Sequence, residues 1–503
     1  MSDETVERQP RFIEAAILGL YIFVVGIGIA VHESWFDEAQ AWLLARDAPI
    51  FDLLNTFLRY EGHPPLWYLI LKVPASLGLP YKAINVTSAL IGVTGVVLLL
   101  LRRDVPRLVK ALLPFTFFVA YQYTIIARSY AMILPLLLGV LAIYRQRRER
   151  LWLFVLLVAL LCQVSLHGTS IAGALVLLYA YDVWREGVPK GPELRKHIAA
   201  AAVLLLNVAA IAWMLRPPHD LSIQTKLNFT FSGRRMGQLA WHGLAVSMMG
   251  AGSVTELVLS LVAFTLLVLW FWRRRTLGTM IVLVASLLPI CSIYFGTWHE
   301  GLFVLVIVFT IILSFMNAQR EPRGAGDLLY DRVIVIVVSV IFLHSIVDTW
   351  RSYRFDISYP YSGSTAAADF IKEHRLDRAR LFGAGFSCLA IEPYFDHNVF
   401  ANYQTSGRFA FWDWSTRAPW FYQPAYLLKP NELRAWQQAQ IAQKPDFFLT
   451  SMKLRHDAIY AEMLIAAGYK EIARFPGGLF WKDHVMERET FRLFARGDHA
   501  GSR

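Results

Sequence analysis

The chain has 503 residues, of which 56% are hydrophobic and 17% charged, and its mean hydropathy is +0.42, which excludes a soluble globular protein of this length. A net charge of +11 would suit a nucleic-acid binder, but the Lys and Arg residues cluster in short loops between apolar runs, the pattern of cytoplasmic loops in a polytopic membrane protein. Three cysteines, Cys162, Cys291 and Cys388, imply no disulfide framework.

In chain order, residues 1–11 are polar and carry Arg8 and Arg11, and the apolar run from Phe12 to about Val31 lacks a small-residue cleavage site. It reads as an uncleaved span with a cytoplasmic N terminus. The first outer loop, residues 32–82, holds the adjacent acids Asp37 and Glu38 and closes on His63-Pro64-Pro65. Pro64 to Leu79 is short for a span and contains Lys72 and Pro74, so a juxtamembrane or re-entrant helix on the outer side is expected there. Runs at 83–101, 109–126, 129–144, 151–167, 170–184, 198–215, 254–272, 277–295, 301–318 and 333–349 then alternate between basic turns on one side and less basic turns on the other. The basic side holds Arg102 to Lys110, Arg145 to Arg150, Arg185 to His197, Arg273 to Arg275 and Arg320 to Arg332. With the first run this makes about eleven spans, residues 1–349, and the loop from Arg216 to about Gly252 lies outside.

Residues 350–503 change to the composition of a water-soluble domain. A helix over Ser364 to His374 and strands at Arg380 to Ala384, Asp446 to Thr450 and, as the terminal strand, Gly478 to Trp481 suggest a small extracytoplasmic α/β domain. The aromatic stretch from Phe409 to Tyr422 is read either as core and membrane-docking packing or as a platform for an acceptor sugar or lipid. No internal repeat, low-complexity tract or glycine-rich nucleotide motif occurs, and no His/Cys group has zinc-ligand spacing. The sequons at Asn85 and Asn228 are too short a pattern to carry weight.

An outer loop with Asp37-Glu38, followed 25 residues later by His63-Pro64-Pro65-Leu66-Trp67-Tyr68, resembles the GT-C glycosyltransferases that use polyprenyl-phosphate sugars, with the protein O-mannosyltransferases and the lipid A aminoarabinose transferases as the nearest groups. The likeness covers about the first 150 residues, and the rest by architecture. It implies a bacterial plasma-membrane enzyme that moves a hexosyl or pentosyl group from a polyprenyl phosphate to a hydroxyl of a lipid, glycan or protein in the cell envelope. Phosphate is already a good leaving anion, so one base and a single inverting displacement suffice. Asp37 matches the family's catalytic acid, and Glu38, on a different helix face, is the second catalytic candidate, pointing elsewhere or assisting from the side. Arg128, in Ala127-Arg128-Ser129-Tyr130, matches an arginine at an outer helix junction and is expected at the donor phosphate, with His63, Arg234 and Arg235 as further phosphate contacts. Glu61, Tyr130, His299 and Glu300 are the expected substrate contacts. Met132 and Ile133 stand near where the family carries a second acid after its arginine, which weakens a metal site built on two carboxylates. No metal ligand is therefore named and a divalent cation is left as an option. The alternatives are a lipid or polysaccharide transporter or flippase, a lipid-linked oligosaccharide ligase or phosphotransferase, and a non-catalytic scaffold.

Overall fold

A computed structural model describes residues 12–221, 232–319, 324–403, 411–412, 414–415, 430–451 and 454–497. Among these, eight helices are long and apolar enough to cross a membrane, and helices at Leu66–Ser76, Leu151–Cys162 and Leu277–Ile293 are apolar but shorter. The helices used below are α1 (Phe12–Val31), α2 (Phe36–Asp47), α3 (Leu66–Ser76), α4 (Ala83–Leu100), α5 (Arg107–Leu112), α6 (Ile133–Ile143), α7 (Leu151–Cys162), α8 (Leu166–Glu186), α9 (Gly191–Met214), α10 (Gly233–Ser247), α11 (Val254–Arg273), α12 (Leu277–Ile293), α13 (Glu300–Ala318) and α14 (Ala325–Ser358).

The expected span at 109–126 is not one helix. Pro114 has no N–H to give, and the chain passes from α5 through a 3-10 turn at Leu113–Phe115 to a π-helix at Phe117–Gln122. The expected outer loop from Arg216 contains a further helix, α10. Pro64 to Leu79 forms α3, eleven residues long with Pro74 inside it, as its length required. Its lysine has a partner set: Lys72 Nζ donates to Ala45 O at 3.0 Å and Ala48 O at 2.8 Å, satisfying carbonyls at the end of α2.

α13 is apolar all round, and 89% of its most apolar stretch is buried, so it is the central helix of the bundle. The peripheral α9 buries 11% of the equivalent stretch and leaves Leu205, Leu206 and Trp213 exposed. On the basic side the charges pair closely: Lys110 with Glu14 at 2.8 Å, Arg274 with Asp331 at 2.8 Å, and Arg147 with Asp182. The turns expected on the other side, at 32–38, 121–130, 165–167 and 296–300, converge at the opposite end and form the site described below.

Beyond α14 comes a helix, α15 (Ser364–Glu373), then β1 (Leu381–Ala384), helix α16 (Pro430–Ala442), β2 (Phe447–Thr450), helix α17 (Leu454–Ala466), β3 (Tyr469–Phe475), β4 (Leu479–Trp481), β5 (His484–Glu487) and β6 (Phe491–Arg496). The sheet has the order β1-β2-β6-β3, with β1 and β2 parallel and the other pairs antiparallel. Both β1 and β2 are buried at every residue, as apolar strands covered on both faces should be. The segment at Gly478 to Trp481 is not the terminal strand: it pairs with β5 as a separate hairpin, and β6 follows as a central strand.

Candidate functional site

The first outer loop folds around Glu38. Trp35 is extended, and the helix that follows begins with Asp37 and Glu38, whose charges suit exposed N–H groups at a helix start. Glu38 is fully buried and both its oxygens are engaged. Oε2 accepts from Trp35 N and lies against His32 Nε2, each at 3.2 Å; Oε1 accepts from Asn85 Nδ2 at 2.9 Å and from Ala127 N at 2.8 Å. The last contact fixes the backbone immediately before Arg128. His32 presents its other nitrogen to Asp356 Oδ2 at 3.2 Å, and Tyr121 Oη donates to the same oxygen at 2.8 Å. Burial alone pushes the His32 imidazole down, but Glu38 and Asp356 more than reverse this and hold it up to about 9, so it is an imidazolium between two carboxylates. This network joins the first loop to α4, to the turn before Arg128 and to the outer end of α14.

Neighbours on a helix point about 100° apart, so Asp37 faces the other way. Its side chain is 29% exposed, and Oδ2 lies 3.1 Å from Arg128 Nη1. The Arg128 guanidinium sits 4.9 Å from the ring centre of Trp298 and 5.6 Å from that of Tyr130. Nη1 is buried and, among the described residues, makes no hydrogen bond of good geometry despite the ion pair. Tyr123 Oη donates to Trp298 O at 2.6 Å and so sets the indole. Tyr68 and Tyr294 lie within electrostatic reach of both Asp37 and Arg128.

Neutral imidazoles complete the pocket. Gly62, at φ +68°, ends a short helical turn in the left-handed region and delivers His63, whose Nδ1 is 2.8 Å from Glu61 O. A carbonyl only accepts, so Nδ1–H donates; burial and then Arg128 push His63 down to about 4, and Nε2 carries a lone pair. With Nδ1–H committed to Glu61 O, the neutral ring presents Nε2 as an acceptor, which suits a hydroxyl better than the phosphate contact expected of it. His299 and Tyr130 are brought to the site, joined at 2.8 Å between Nε2 and Oη, and the His167 ring stacks on His299 with centres 4.1 Å apart.

Glu61 and Glu300 lie within electrostatic reach of the pocket's Tyr68 and Tyr123, and both also tie down other segments. Glu61 Oε1 accepts from Gln40 Nε2 at 2.8 Å and from Trp414 Nε1 at 3.1 Å, while Gln40 also clasps the backbone of Trp412 at 2.7 and 3.0 Å. Glu61 thus latches the aromatic segment onto the first loop. Glu300 is held by His242 at 2.9 Å and by Lys482 at 3.2 Å, a second latch to the β4–β5 hairpin. Arg234 and Arg235 stand on the first turn of α10, and among the described residues no ion pair joins either to Asp37 or to the site around it. Trp412 is buried against Phe386 and Trp414, and Phe411 packs on Phe57, which is the packing reading of the aromatic stretch; Phe409 and Trp420 to Tyr422 lie outside the described residues. The three cysteines are buried and form no disulfide with one another. Among the described residues no group of three or more His, Cys, Asp and Glu side chains is placed to share a metal ion, so the geometry gives the optional divalent cation no support.

Sequence reading missed His32, Asn85, Asp356, Tyr68, Tyr294, Trp298 and Glu489. Asn85 carried a signal, a polar residue inside an apolar run, and it proves to be fully buried. Glu489 carried none: its Oε1 accepts from Phe36 N at 3.1 Å across the whole chain, beside Asp37.

This architecture has a solved counterpart. The chain is similar in structure to ArnT from Cupriavidus metallidurans, determined in the apo state, with a TM-score of 0.56 over 97% of this chain and 99% of that one. The two share a fold. At 12% identity the likeness extends to the polytopic helical body and the terminal domain together. No family model and no curated protein matches the sequence.

Proposed function

We propose that the chain is an integral membrane glycosyltransferase of the GT-C type that moves a hexosyl or pentosyl group from a polyprenyl phosphate to an acceptor hydroxyl on a lipid, glycan or protein, at the outer face of a bacterial plasma membrane. The observation that carries the reading is the pairing of a partly exposed aspartate with a half-buried arginine, Asp37 with Arg128 at 3.1 Å, in a pocket of tyrosines and a neutral histidine, His63. The shared fold with ArnT agrees with it.

Asp37 takes the acceptor's proton as the new bond to the anomeric carbon forms, and the bond from that carbon to the phosphate oxygen breaks. The electron pair leaves with the polyprenyl phosphate, so the displacement inverts the anomeric centre. Arg128 stands where that charge develops, and its Nη1, which makes no hydrogen bond of good geometry among the described residues, would donate to a phosphate oxygen. Glu38 is saturated by four contacts and serves as the strut that sets both residues. His63 Nε2 accepts from a sugar or acceptor hydroxyl. A site with one base suits a single inverting displacement, in contrast to the two-carboxylate arrangement of a retaining glycosidase.

The test is to supply membranes containing the chain with radiolabelled polyprenyl-phosphate sugars and to follow label into lipid, glycan and protein, with the anomeric configuration of the product read by NMR. Transfer with inversion is expected. Transfer only from nucleotide sugars, or with retention, would overturn the reading.

A further inference from the structure

The hydrogen bonds of His299 fix more than its position. Gly296 N donates to His299 Nδ1 at 2.8 Å, so Nδ1 must hold a lone pair. A neutral imidazole with an acceptor at Nδ1 carries its single proton on Nε2. That nitrogen lies 2.8 Å from Tyr130 Oη, and Nε2–H therefore donates to the phenol oxygen. Tyr130 accepts in this bond and its own O–H proton must point elsewhere.

Among the described residues nothing receives that proton: the bond to His299 is the only hydrogen bond of the Tyr130 hydroxyl there. The ring is 2% exposed, so bulk water is not a ready substitute. A second polar atom nearby is in the same state. His167 is 4% exposed, its ring stacks on His299 at 4.1 Å, and its Nε2 has no hydrogen-bond partner among the described residues. Buried polar atoms left open beside an arginine mark a place that a ligand completes. The charge next to Tyr130 selects the kind of ligand, because the Arg128 guanidinium lies 5.6 Å from the Tyr130 ring centre and attracts an anion.

We infer that Tyr130 donates its O–H to a phosphoryl oxygen of the lipid-linked donor, and that His299, anchored by Gly296 N, is the positioning residue that turns the proton toward it. This rests on the glycosyltransferase reading for the identity of the lipid, and it reassigns Tyr130 from a general substrate contact to the phosphate. The arrangement also gives Gly296 a purpose: its N–H selects the tautomer of His299, and the tautomer decides which way the phenol donates.

The experiment measures binding of a long-chain polyprenyl phosphate, and of the same polyprenol without phosphate, to the purified full chain in nanodiscs. Tyr130→Phe removes one proton donor and keeps the ring. It should weaken phosphate binding about 10-fold or more, as loss of a hydrogen bond to a charged group does, and leave polyprenol binding unchanged. His299→Gln can rebuild both bonds, its amide oxygen accepting from Gly296 N and its amide N–H donating to Tyr130, and should stay within a few-fold of native. His299→Leu should fall to the level of Tyr130→Phe. A gel-filtration profile matching the native chain confirms that each variant is folded. Equal phosphate binding by the native chain and Tyr130→Phe would overturn the proposal, as would an equal loss for polyprenol, or a His299→Gln variant no better than His299→Leu. A native chain that binds the phosphate through Tyr130 but transfers no sugar would instead sink the glycosyltransferase reading and leave the phosphate assignment standing.

Discussion

The two ends of the helical bundle both gather charge, but they use it differently. At the basic end the charged groups meet mostly in separate pairs, Lys110 with Glu14, Arg274 with Asp331, Arg147 with Asp182, each joining neighbouring helices. At the opposite end Glu38, His32 and Asp356 form one buried network, and beside it Asp37 pairs with Arg128, whose Nη1 makes no hydrogen bond of good geometry among the described residues. Charges that only set topology and packing can be closed off locally. Charges that meet a substrate need a fixed frame and an open position, and only the outer end has both.

Substitutions should separate the two ends. Asp37→Asn is expected to lower sugar transfer by about 10²–10⁴-fold with little change in folding, as loss of a general base does. Arg128→Ala should cost about 10²–10³-fold in turnover, the range for removing one preorganised donor from a charged transition state. Glu38→Ala acts on the frame. It leaves the His32 imidazolium with one of its two carboxylates, and breaking a buried pair of this kind costs about 3–5 kcal/mol, read as loss of folded protein in detergent. At the other end, Arg274→Ala should also reduce the folded yield, yet the protein that does fold should turn over within about twofold of native, because distant sites act independently. A large change in turnover there would erase the contrast.

The smallest effect is a pH trend. The folded value of His32, about 9, lies above its ordinary 6.5, so its contribution to stability is complete below about 6.5 and is lost as pH rises through about 9. Burial pushes Glu489 up to about 8 from 4.5, so its carboxyl stays neutral in the folded chain while an unfolded chain ionises first, and stability again declines as pH rises through that interval. Melting temperature in detergent should therefore fall between pH 6.5 and 9, and Glu489→Gln, which keeps a neutral side chain, should flatten part of the fall. A melting temperature that rises over this range would contradict the imidazolium at His32.

Much of this architecture was legible in the residues, for reasons that differ by region. The spans α1, α4 and α8 are apolar runs bounded by charge, and the turns at Arg128, His167 and His299 fell on the same side as Asp37 because basic loops set parity. The broken passage through Pro114 was not legible, since an apolar run looks the same whether the backbone is α-helical or π-helical. The helix α10 was missed because an outer amphipathic helix carries too few apolar residues to stand out beside true spans. In the proposed site, Asp37 and Arg128 come from short motifs that the structure brings together, whereas the contacts of Glu38 and His63 depend on hydrogen bonds that no spacing encodes. Glu489 and Asp356 reach the first loop from more than 300 residues away, and a single sequence holds no trace of that pairing.

The most direct test of the central claim is single-turnover sugar transfer by Asp37→Asn loaded with labelled polyprenyl-phosphate sugar, beside the native chain at equal donor occupancy. If Asp37 is the base, the variant holds the donor and the transfer step almost disappears. Transfer at the native rate from the loaded variant would remove Asp37 from the mechanism, and with it the reason to read the outer end as a glycosyltransferase site.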